Sequence, residues 1–582
     1  MSKNNKNEIL KGIGASDGIA IAKPFLIEKP KFLINDSKVS NVDSEIKKID
    51  DTIAKAVLEI SNIQKIAEEK IGKEKAMVFE AHSQIANDPE LKNEIHGIVK
   101  NEKFNGAYAI DLVFKKTHDI FANMEDDYFK QRASDVNDVK EKLLSLFLGV
   151  EMPNLLEIKE EVIIVADDLT PSETALLDKK YVKGFVTNIG GRTSHAAIMA
   201  RTMEIPAVLG LKEITSKVEK DMVIGLDGIN GIVEINPTNE QEWKNKIEKF
   251  AKEKEELKKY INIKTKTLDG HVVDVVANIG KPSDVDKLSS YGSEGVGLVR
   301  SEFLYMENSK WPTEEEQFDA YKYILENQKE KLVIVRTLDI GGDKKLNYYE
   351  FPHEMNPFLG YRAIRFCLNN VEIFKTQIRA LLRASIYGKL GIMFPMIATV
   401  DEFKNAKKIV DEVKDELRKS KIKFDEKVLV GMMVEIPSSA FLTDRFAKYS
   451  DFFSIGTNDL VQYTLAADRM SENVSYLYQP NNPALLRAIK ATIEGAATNK
   501  KFVGMCGEMA GDIRSIPILL GLGKRGLDEF SMSASSIPKA KKIISSLKHS
   551  ECIELADKAI ECDTTEEVNE LVENFLKKRN LI

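Results

Sequence analysis

The spacing of apolar residues along the chain changes character several times, and each change predicts a new architecture. Residues 8–27 alternate β-branched residues with glycine punctuation, which predicts strands and turns. From about residue 36 to 149 the pattern turns helical. Val42, Ile46, Ile49, Ile53, Val57, Ile60 and Ile63 fall at a spacing near 3.6, and Pro89 is the one proline between Pro30 and Pro153. This predicts antiparallel helical hairpins. From Glu161 short apolar runs return as VIIVADD, GFVTNIGG, MVIGLDG and GIVEI, with helical stretches between them. The simplest account joins 1–27 to 150–239 as one discontinuous α/β domain, with a helical subdomain inserted over 28–149. Insertion is tolerated where the chain ends of a loop lie close together.

Residues 240–261, EQEWKNKIEKFAKEKEELKKYI, are dense in charge, with Trp243, Ile247, Phe250 and Leu257 on one face. They predict a solvated, semi-rigid connecting helix within a linker over 240–264. Beyond it come eight strand-like runs: VVDVVANIG, GVGLVRSE, LVIVRTLDIG, GIMFPMI, VLVGMMVEI, FFSIGTND, FVGMCGE and LDEFSM. Eight such βα units over residues 265–582 predict a (β/α)8 barrel, whose chemistry sits at the C-terminal ends of its strands. The fold class expected is therefore multidomain α/β.

Composition narrows the function. At 582 residues the chain exceeds one core, and 43% apolar with 30% charged residues is an ordinary globular mixture. A net charge of −7 offers no basic field for nucleic acid. No apolar run has the length of a membrane span, and MSKNNKNEILKG lacks the apolar segment of a secretory signal. Cys367, Cys506, Cys552 and Cys562 show no framework spacing, which fits free thiols in a reducing cytoplasm.

Four groups of residues carry candidate chemistry. In Gly190-Gly191-Arg192-Thr193-Ser194-His195 the glycines leave backbone N–H groups open to an anion, and Thr193 and Ser194 suit the cap of the helix that AAIMARTME predicts. His195 then lies at a helix N-terminus as a candidate nucleophile toward phosphorus, or as a histidine that merely closes a helix start. At the barrel strand ends, Arg300 and Arg336, with Arg362 shortly after, read as buried cations awaiting a multiply charged anion. Glu435 and Asp459 end neighbouring strands and suit Mg²⁺, with Asn458 beside them as an amide donor. Histidine or thiolate ligands of a zinc type are missing from that pattern. Cys506, ending the seventh run, is either barrel packing or a proton donor at the same mouth. Gly521–Gly526 matches GxGxxG but follows an apolar helical stretch and opens no helix, so a dinucleotide site fails its context. No GxxxxGK[ST] occurs in the sequence.

GGRTSHAAIMAR, EGVGLVRSEFLYM, VRTLDIGGDK, NPFLGYRAIR, MFPMI, SIGTNDLVQYTLAADR and GMCGEMAGD follow one another in this order. In sequence and spacing they resemble the enzyme I family of the bacterial phosphoenolpyruvate:sugar phosphotransferase system, from about residue 8 onward. The resemblance implies that His195 accepts a phosphoryl group on Nε2. It implies that Arg300, Arg336, Asn458, Asp459 and Arg469 bind phosphoenolpyruvate, and that Glu435 and Asp459 hold Mg²⁺. It also implies that Cys506 protonates the enolate to pyruvate. It further implies that the inserted helices dock the phosphocarrier protein HPr, that the barrel forms a homodimer, and that the enzyme is cytoplasmic. The discontinuous α/β domain would be the phosphohistidine domain, swinging on the linker between the barrel mouth and HPr. Ser301 stands where the family often has Thr. A phosphoenolpyruvate synthase or pyruvate phosphate dikinase would need a nucleotide-binding domain for which the first 240 residues leave no room. A Mg²⁺-dependent barrel lyase of pyruvate-like acids would leave GGRTSH without a role.

Overall fold

A computed structural model describes residues 7–582 except 29, 31, 72, 124–126, 192, 193, 307, 343 and 345. At 69–71, 73–75, 127–131, 157, 175, 195, 202 and 472 it describes the backbone alone. Arg192, Thr193 and the His195 side chain therefore lie outside the described residues. The chain divides into two compact units, one up to Glu253 and one from Lys254.

The first unit is built on an eight-stranded sheet with the order β1-β8-β7-β3-β4-β5-β6-β2. Its strands are β1 (Glu8–Lys11), β2 (Ile13–Ser16), β3 (Ile19–Ile27), β4 (Val162–Ala166), β5 (Val182–Thr187), β6 (Ala207–Leu209), β7 (Ile224–Asp227) and β8 (Ile232–Ile235). The central strands β3 to β6 run parallel, while β7, β8, β1 and β2 pair antiparallel at the flanks. VIIVA of β4 shows why a continuous apolar run belongs here. Val162, Ile164 and Ala166 enter one core while Ile163 and Val165 enter another, so both faces of the sheet are covered.

Between β3 and β4 stand five helices: α1 (Val42–Ile71), α2 (Lys73–Ala86), α3 (Pro89–Glu102), α4 (Gly106–Ala122) and α5 (Asp127–Leu148). They enclose a core of their own, in which Ile49, Ile53 and Ile60 of α1 meet Val99, Ile110, Phe114 and Leu143. Val42, Ile46, Val57 and Ile63 pack at its margin, so all seven residues of the helical repeat face inward. Pro89 opens α3 rather than breaking it, because the Asp88 carboxylate accepts from the N–H groups of Glu90 and Leu91. Three further helices, α6 (Pro171–Ala175), α7 (His195–Met203) and α8 (Ile214–Lys217), flank the sheet.

α9 (Glu240–Leu257) carries the chain across the division between the units. As the sequence pattern suggests, it is solvated along most of its length, with Glu240, Gln241 and Glu242 exposed, and one stripe residue anchors it. Trp243 is 2% exposed and lies over Gly225 of β7, with its indole N–H donating to Glu234 at 2.6 Å. The apolar stripe is narrow because a single large ring anchors the helix and the rest remains charged.

The second unit is a closed barrel in which every neighbouring pair of strands is parallel. Its strands are β9 (Asp274–Ile279), β10 (Val296–Arg300), β11 (Leu332–Arg336), β12 (Lys389–Phe394), β13 (Leu429–Val434), β14 (Phe452–Ile455), β15 (Phe502–Met505) and β16 (Glu529–Met532). Each of the eight predicted runs supplies one strand, so the multidomain α/β class with a C-terminal barrel holds. Residues alternate between a shell packed on the outer helices and a lumen where Leu298, Ile334, Met393, Met433, Phe452 and Cys506 meet. Gly521 ends a short helix and Gly523 lies in a tight turn before β16, so the GxGxxG match opens no helix. Among the described residues no helix is long and apolar enough to cross a membrane.

A Cβ at Gly225 would stand 2.3 Å from the Trp243 ring. Gly225→Val should therefore destabilise the first unit by about 1–3 kcal/mol through overpacking. Thermal unfolding followed by the fluorescence of Trp243 checks this, with the barrel transition unchanged.

Candidate active site

Gly190, Gly191 and Ser194 lie between β5 and α7. Gly190 takes a φ of +111°, which a side chain would strain, and Ser194 is the residue that caps α7. The Ser194 hydroxyl accepts from the Ala197 N–H at 3.3 Å and donates to the Gly191 carbonyl at 2.8 Å. His195 is thus the first residue of α7, at the end where helix N–H groups favour an anion.

The barrel mouth collects the second group. Arg336 ends β11 and pairs with Glu302 and, at 3.1 Å, with Asp339. Lys344 reaches the same two carboxylates at 2.7 and 3.0 Å. Arg362 donates to Asp339 at 3.0 Å and to Asp459 at 3.4 Å, and Arg469 lies 3.8 Å from the other Asp459 oxygen. Arg336, Asp339, Arg362, Glu302, Glu435 and Asp459 are all buried. The cations outlast that burial because the carboxylates beside them more than offset it, which keeps Arg336 and Arg362 firmly charged. Burial likewise pushes Glu302 and Asp339 upward, yet Arg336 and Lys344 bring both below the ordinary carboxylate range.

Several polar atoms in this network are buried without a hydrogen-bond partner among the described residues. They are Oε2 of Glu302, Nε of Arg336, Nε and Nη1 of Arg362, and Oδ1 of Asp459. Buried donors left open in this way mark a place for acceptor groups from outside the protein. Glu435 behaves differently from its neighbours. One oxygen accepts from the Met396 N–H at 2.6 Å, a donor aimed by the left-handed φ of 56° at Met396. Burial, then the charges of Asp459 and Asp339, push Glu435 up to about 8 against the pull of Arg336 and Arg362. Two buried carboxylates in mutual repulsion, one with an open oxygen, fit a hard divalent cation. Among the described residues no three histidine, cysteine or acidic groups converge as a ready-made cage. An ion such as Mg²⁺ takes one or two protein carboxylates and fills its shell elsewhere.

Cys506 directly follows β15 and is 4% exposed in the lumen cluster below the rim. Burial pushes its thiol up to about 11, against the opposing effects of Ser454 and Arg336, so it is protonated at neutral pH. Asn458 accepts from the Glu508 N–H at 3.2 Å, which ties the loop after β14 to the loop after β15.

Family descriptions of PEP-utilising enzymes match three stretches: the N-terminal part over residues 11–132, the mobile domain over 158–231 and the PEP-binding domain over 254–549. The phosphoenolpyruvate-protein phosphotransferase of Mycoplasma capricolum is 55% identical over 569 residues, 97% of this chain and 99% of its own. That of Staphylococcus carnosus is 53% identical over 570 residues, 98% of this chain and 99% of its own. The chain belongs to the phosphoenolpyruvate-protein phosphotransferase family. Among solved structures, the NMR solution structure of Enzyme I (nEIt) matches 42% of this chain and 99% of its own at 42% identity, with a TM-score of 0.39.

Within this family fold, Arg336, Glu435, Asn458, Asp459, Arg469 and Cys506 gather at or just inside one barrel mouth. His195 belongs to the other unit. Arg300 pairs in register with Arg336 at the end of β10, but it is exposed and takes no ion pair among the described residues. The expectation of two buried arginines on successive strands is corrected in this respect. The second buried arginine is Arg362, in the connection between β11 and β12, where it pairs with Asp339 and Asp459. Sequence reasoning passed over Glu302, Asp339 and Lys344. The signal was present: a charged residue two or three positions after a strand-ending arginine, in VRSE and VRTLD, is where a counter-ion must stand.

Removing the Arg336 side chain leaves Glu302 and Asp339 buried beside fewer cations. Arg336→Ala should cost about 3–5 kcal/mol of barrel stability, whereas the exposed Arg300→Ala should stay within about 0.5 kcal/mol. Denaturant titration of both variants checks the contrast.

Proposed function

We propose that this chain is a phosphoenolpyruvate-protein phosphotransferase that accepts the phosphoryl group of phosphoenolpyruvate on Nε2 of His195, releases pyruvate and hands the group to HPr. This is the first step of sugar uptake by the phosphotransferase system. The observation that carries the reading is the set of buried guanidinium donors at the barrel mouth that no group among the described residues satisfies. Phosphoenolpyruvate supplies both a carboxylate and a phosphate to such donors, and arginine matches both in planar, paired fashion.

In this mechanism Arg336 and Arg362 fix the substrate from within the mouth, while Arg300, Asn458 and Arg469 close on it from the rim. Glu435 and Asp459 would hold Mg²⁺, which when bound offsets charge on the carboxylate and phosphate oxygens. Phosphoryl transfer asks mainly for positioning and charge stabilisation, so the arginines supply most of what the step needs. The P–O bond to the enol oxygen breaks as the P–N bond to His195 forms, and the enolate keeps the electron pair. Cys506 then gives its proton to the methylene carbon. Storing the phosphoryl group on an imidazole splits one transfer into two reversible ones. The inserted helices α1–α5 would receive HPr, a second copy would pair through the barrel, and the cytoplasm is the compartment that suits these free thiols.

His195→Ala should abolish labelling from ³²P-phosphoenolpyruvate with Mg²⁺ while the barrel still binds the substrate. In the wild type the label should be acid-labile, base-stable and located on His195. Persistent transfer to HPr by the verified variant would overturn the assignment. Cys506→Ala should slow pyruvate formation by about 10²–10⁴-fold, the usual range for a positioned general acid. Substrate binding should change little, because a neutral thiol contributes little to holding an anion. Rapid-quench analysis of pyruvate alongside a melting curve separates this outcome from mere packing.

A further inference from the structure

A general acid that protonates carbon must be aimed as well as present, and the barrel lumen holds a side chain that reaches the backbone of Cys506. Asn278 stands near the C-terminal end of β9. Val275, Ala277 and Ile279 of that strand pack in the outer shell, as do Phe530 and Met532 of β16, so Asn278 and Ser531 face the lumen. From there Nδ2 of Asn278 donates to the Cys506 carbonyl at 2.9 Å and to the Ser531 carbonyl at 3.4 Å. Its Oδ1 accepts from the Ser531 hydroxyl at 2.6 Å. Turning the amide over would set its oxygen against two carbonyls, so this bonding decides which atom faces Cys506.

The tie comes from the side that the sheet leaves open. Toward β14, the Cys506 N–H donates to the Ile455 carbonyl at 3.1 Å, and Sγ lies 3.8 Å from the same oxygen. Gly507 is seated so closely on Thr457 that no Cβ would fit there. Toward β16, the pairing of β15 ends with Met505 opposite Phe530. Beyond that point Asn278 reaches past β16 from β9 and takes the Cys506 carbonyl. Ser531 has room beside it because β10 carries glycine at 297. A Cβ at Gly297 would stand 2.5 Å from the Ser531 Oγ and 2.7 Å from Oε1 of Glu529, the buried acid of β16.

We propose that Asn278, oriented by Ser531, is a positioning residue for the carbon-protonation step, holding the peptide after Cys506 so that the thiol points at one face of the enolate. The proposal rests on the phosphotransferase reading. In that step the S–H bond breaks, a C–H bond forms at the methylene carbon, and the negative charge of the enolate passes to sulfur as a thiolate. An enolate carbon takes a proton along the axis of its π system, above or below its plane. A thiol free to swing reaches that axis less often and leaves the enolate to water, which protonates either face. Asn278 acts only through the Cys506 backbone. Phosphoryl transfer to His195 precedes the need for the thiol and does not depend on it.

The test uses the full-length protein with phosphoenolpyruvate, Mg²⁺ and HPr. Labelling of His195 from ³²P-phosphoenolpyruvate reports phosphoryl transfer. Lactate dehydrogenase with NADH consumes only the keto product and so reports protonation. Asn278→Ala should keep single-turnover labelling within about twofold of wild type and slow keto-pyruvate release by about 10–10²-fold, the scale of an acid misplaced by about 1 Å. Asn278→Asp, which keeps the shape and loses the donor to Cys506, should do the same. A second readout is one that packing alone does not move. The methyl-substituted substrate (Z)-phosphoenol-2-oxobutyrate, turned over in ²H₂O, gives 2-oxobutyrate with one deuterium at C3. Reduction in place by lactate dehydrogenase preserves that configuration for NMR. The wild type should give one configuration in excess, and Asn278→Ala should bring the two toward equality. Ser531→Ala should show the same split at smaller size, and keeps the test available should the Asn278 variants fold poorly. Wild-type keto release and deuterium configuration in these variants, or equal slowing of labelling and keto release, would overturn the proposal. Failure of the function reading looks different, since the wild type itself would then leave His195 unlabelled and release no pyruvate.

Discussion

The buried ion network around Asp339 is the constraint on which the barrel mouth depends. Asp339 pairs with Arg336, Lys344 and Arg362 at once, and each of those cations reaches a second carboxylate, Glu302 or Asp459. Desolvating any one of these charges alone would cost several kcal/mol, so the group is stable only as a set. The arrangement also fixes which donor atoms remain. With Nη2 of Arg336 and Arg362 committed to carboxylates, the Nε atoms and one Nη1 are held in place without partners among the described residues. A site preorganised in this way needs little rearrangement when an anion arrives, and that is the main contribution a protein makes to phosphoryl transfer.

The rim and the lumen use burial to opposite ends. At the rim, opposite charges lie within hydrogen-bond reach, so Glu302 and Asp339 stay ionised despite their burial. A few residues deeper, Cys506 and Glu529 have little such compensation, and the same loss of water keeps both protonated. One mouth thereby offers fixed cations for oxygen anions and, beneath them, neutral acids that hold transferable protons. The order suits a reaction in which phosphorus leaves first and carbon is protonated afterward.

Much of this was legible in the sequence because it rests on period and punctuation. The eight apolar runs became eight strands since a barrel strand, buried on both sides, must be apolar nearly throughout. The helical repeat from Val42 to Ile63 turned inward as a set for the corresponding reason on a helix. What the sequence hid was pairing. Arg300 and Arg336 both end strands, yet only the second is buried, since burial depends on the loops that cover each strand end. Asp339 and Glu302 were passed over as incidental polar residues. Their importance comes from Lys344 and Arg362, which no spacing rule brings to them. Trp243 stood out only as part of a stripe, while its packing partner Gly225 lies on a strand and has no side chain to betray the contact.

Glycine in the lumen has the same kind of concealed role. Gly504 and Gly297 fall within the apolar runs FVGMC and GVGLVR. In the barrel they are the places where a neighbouring strand's carboxyl can lean inward without collision. A lumen lined wholly by branched residues would pack more tightly, but it would exclude the Glu529 carboxyl from the space beside Gly504 and Gly297. A buried carboxyl without a partner lowers stability at every pH at which its unfolded counterpart would be ionised, since its folded pKa is raised. That cost is greatest above about pH 8, where Glu529 is charged in both states, and it vanishes below the ordinary carboxyl range. A barrel selected for stability alone would place a neutral side chain at 529.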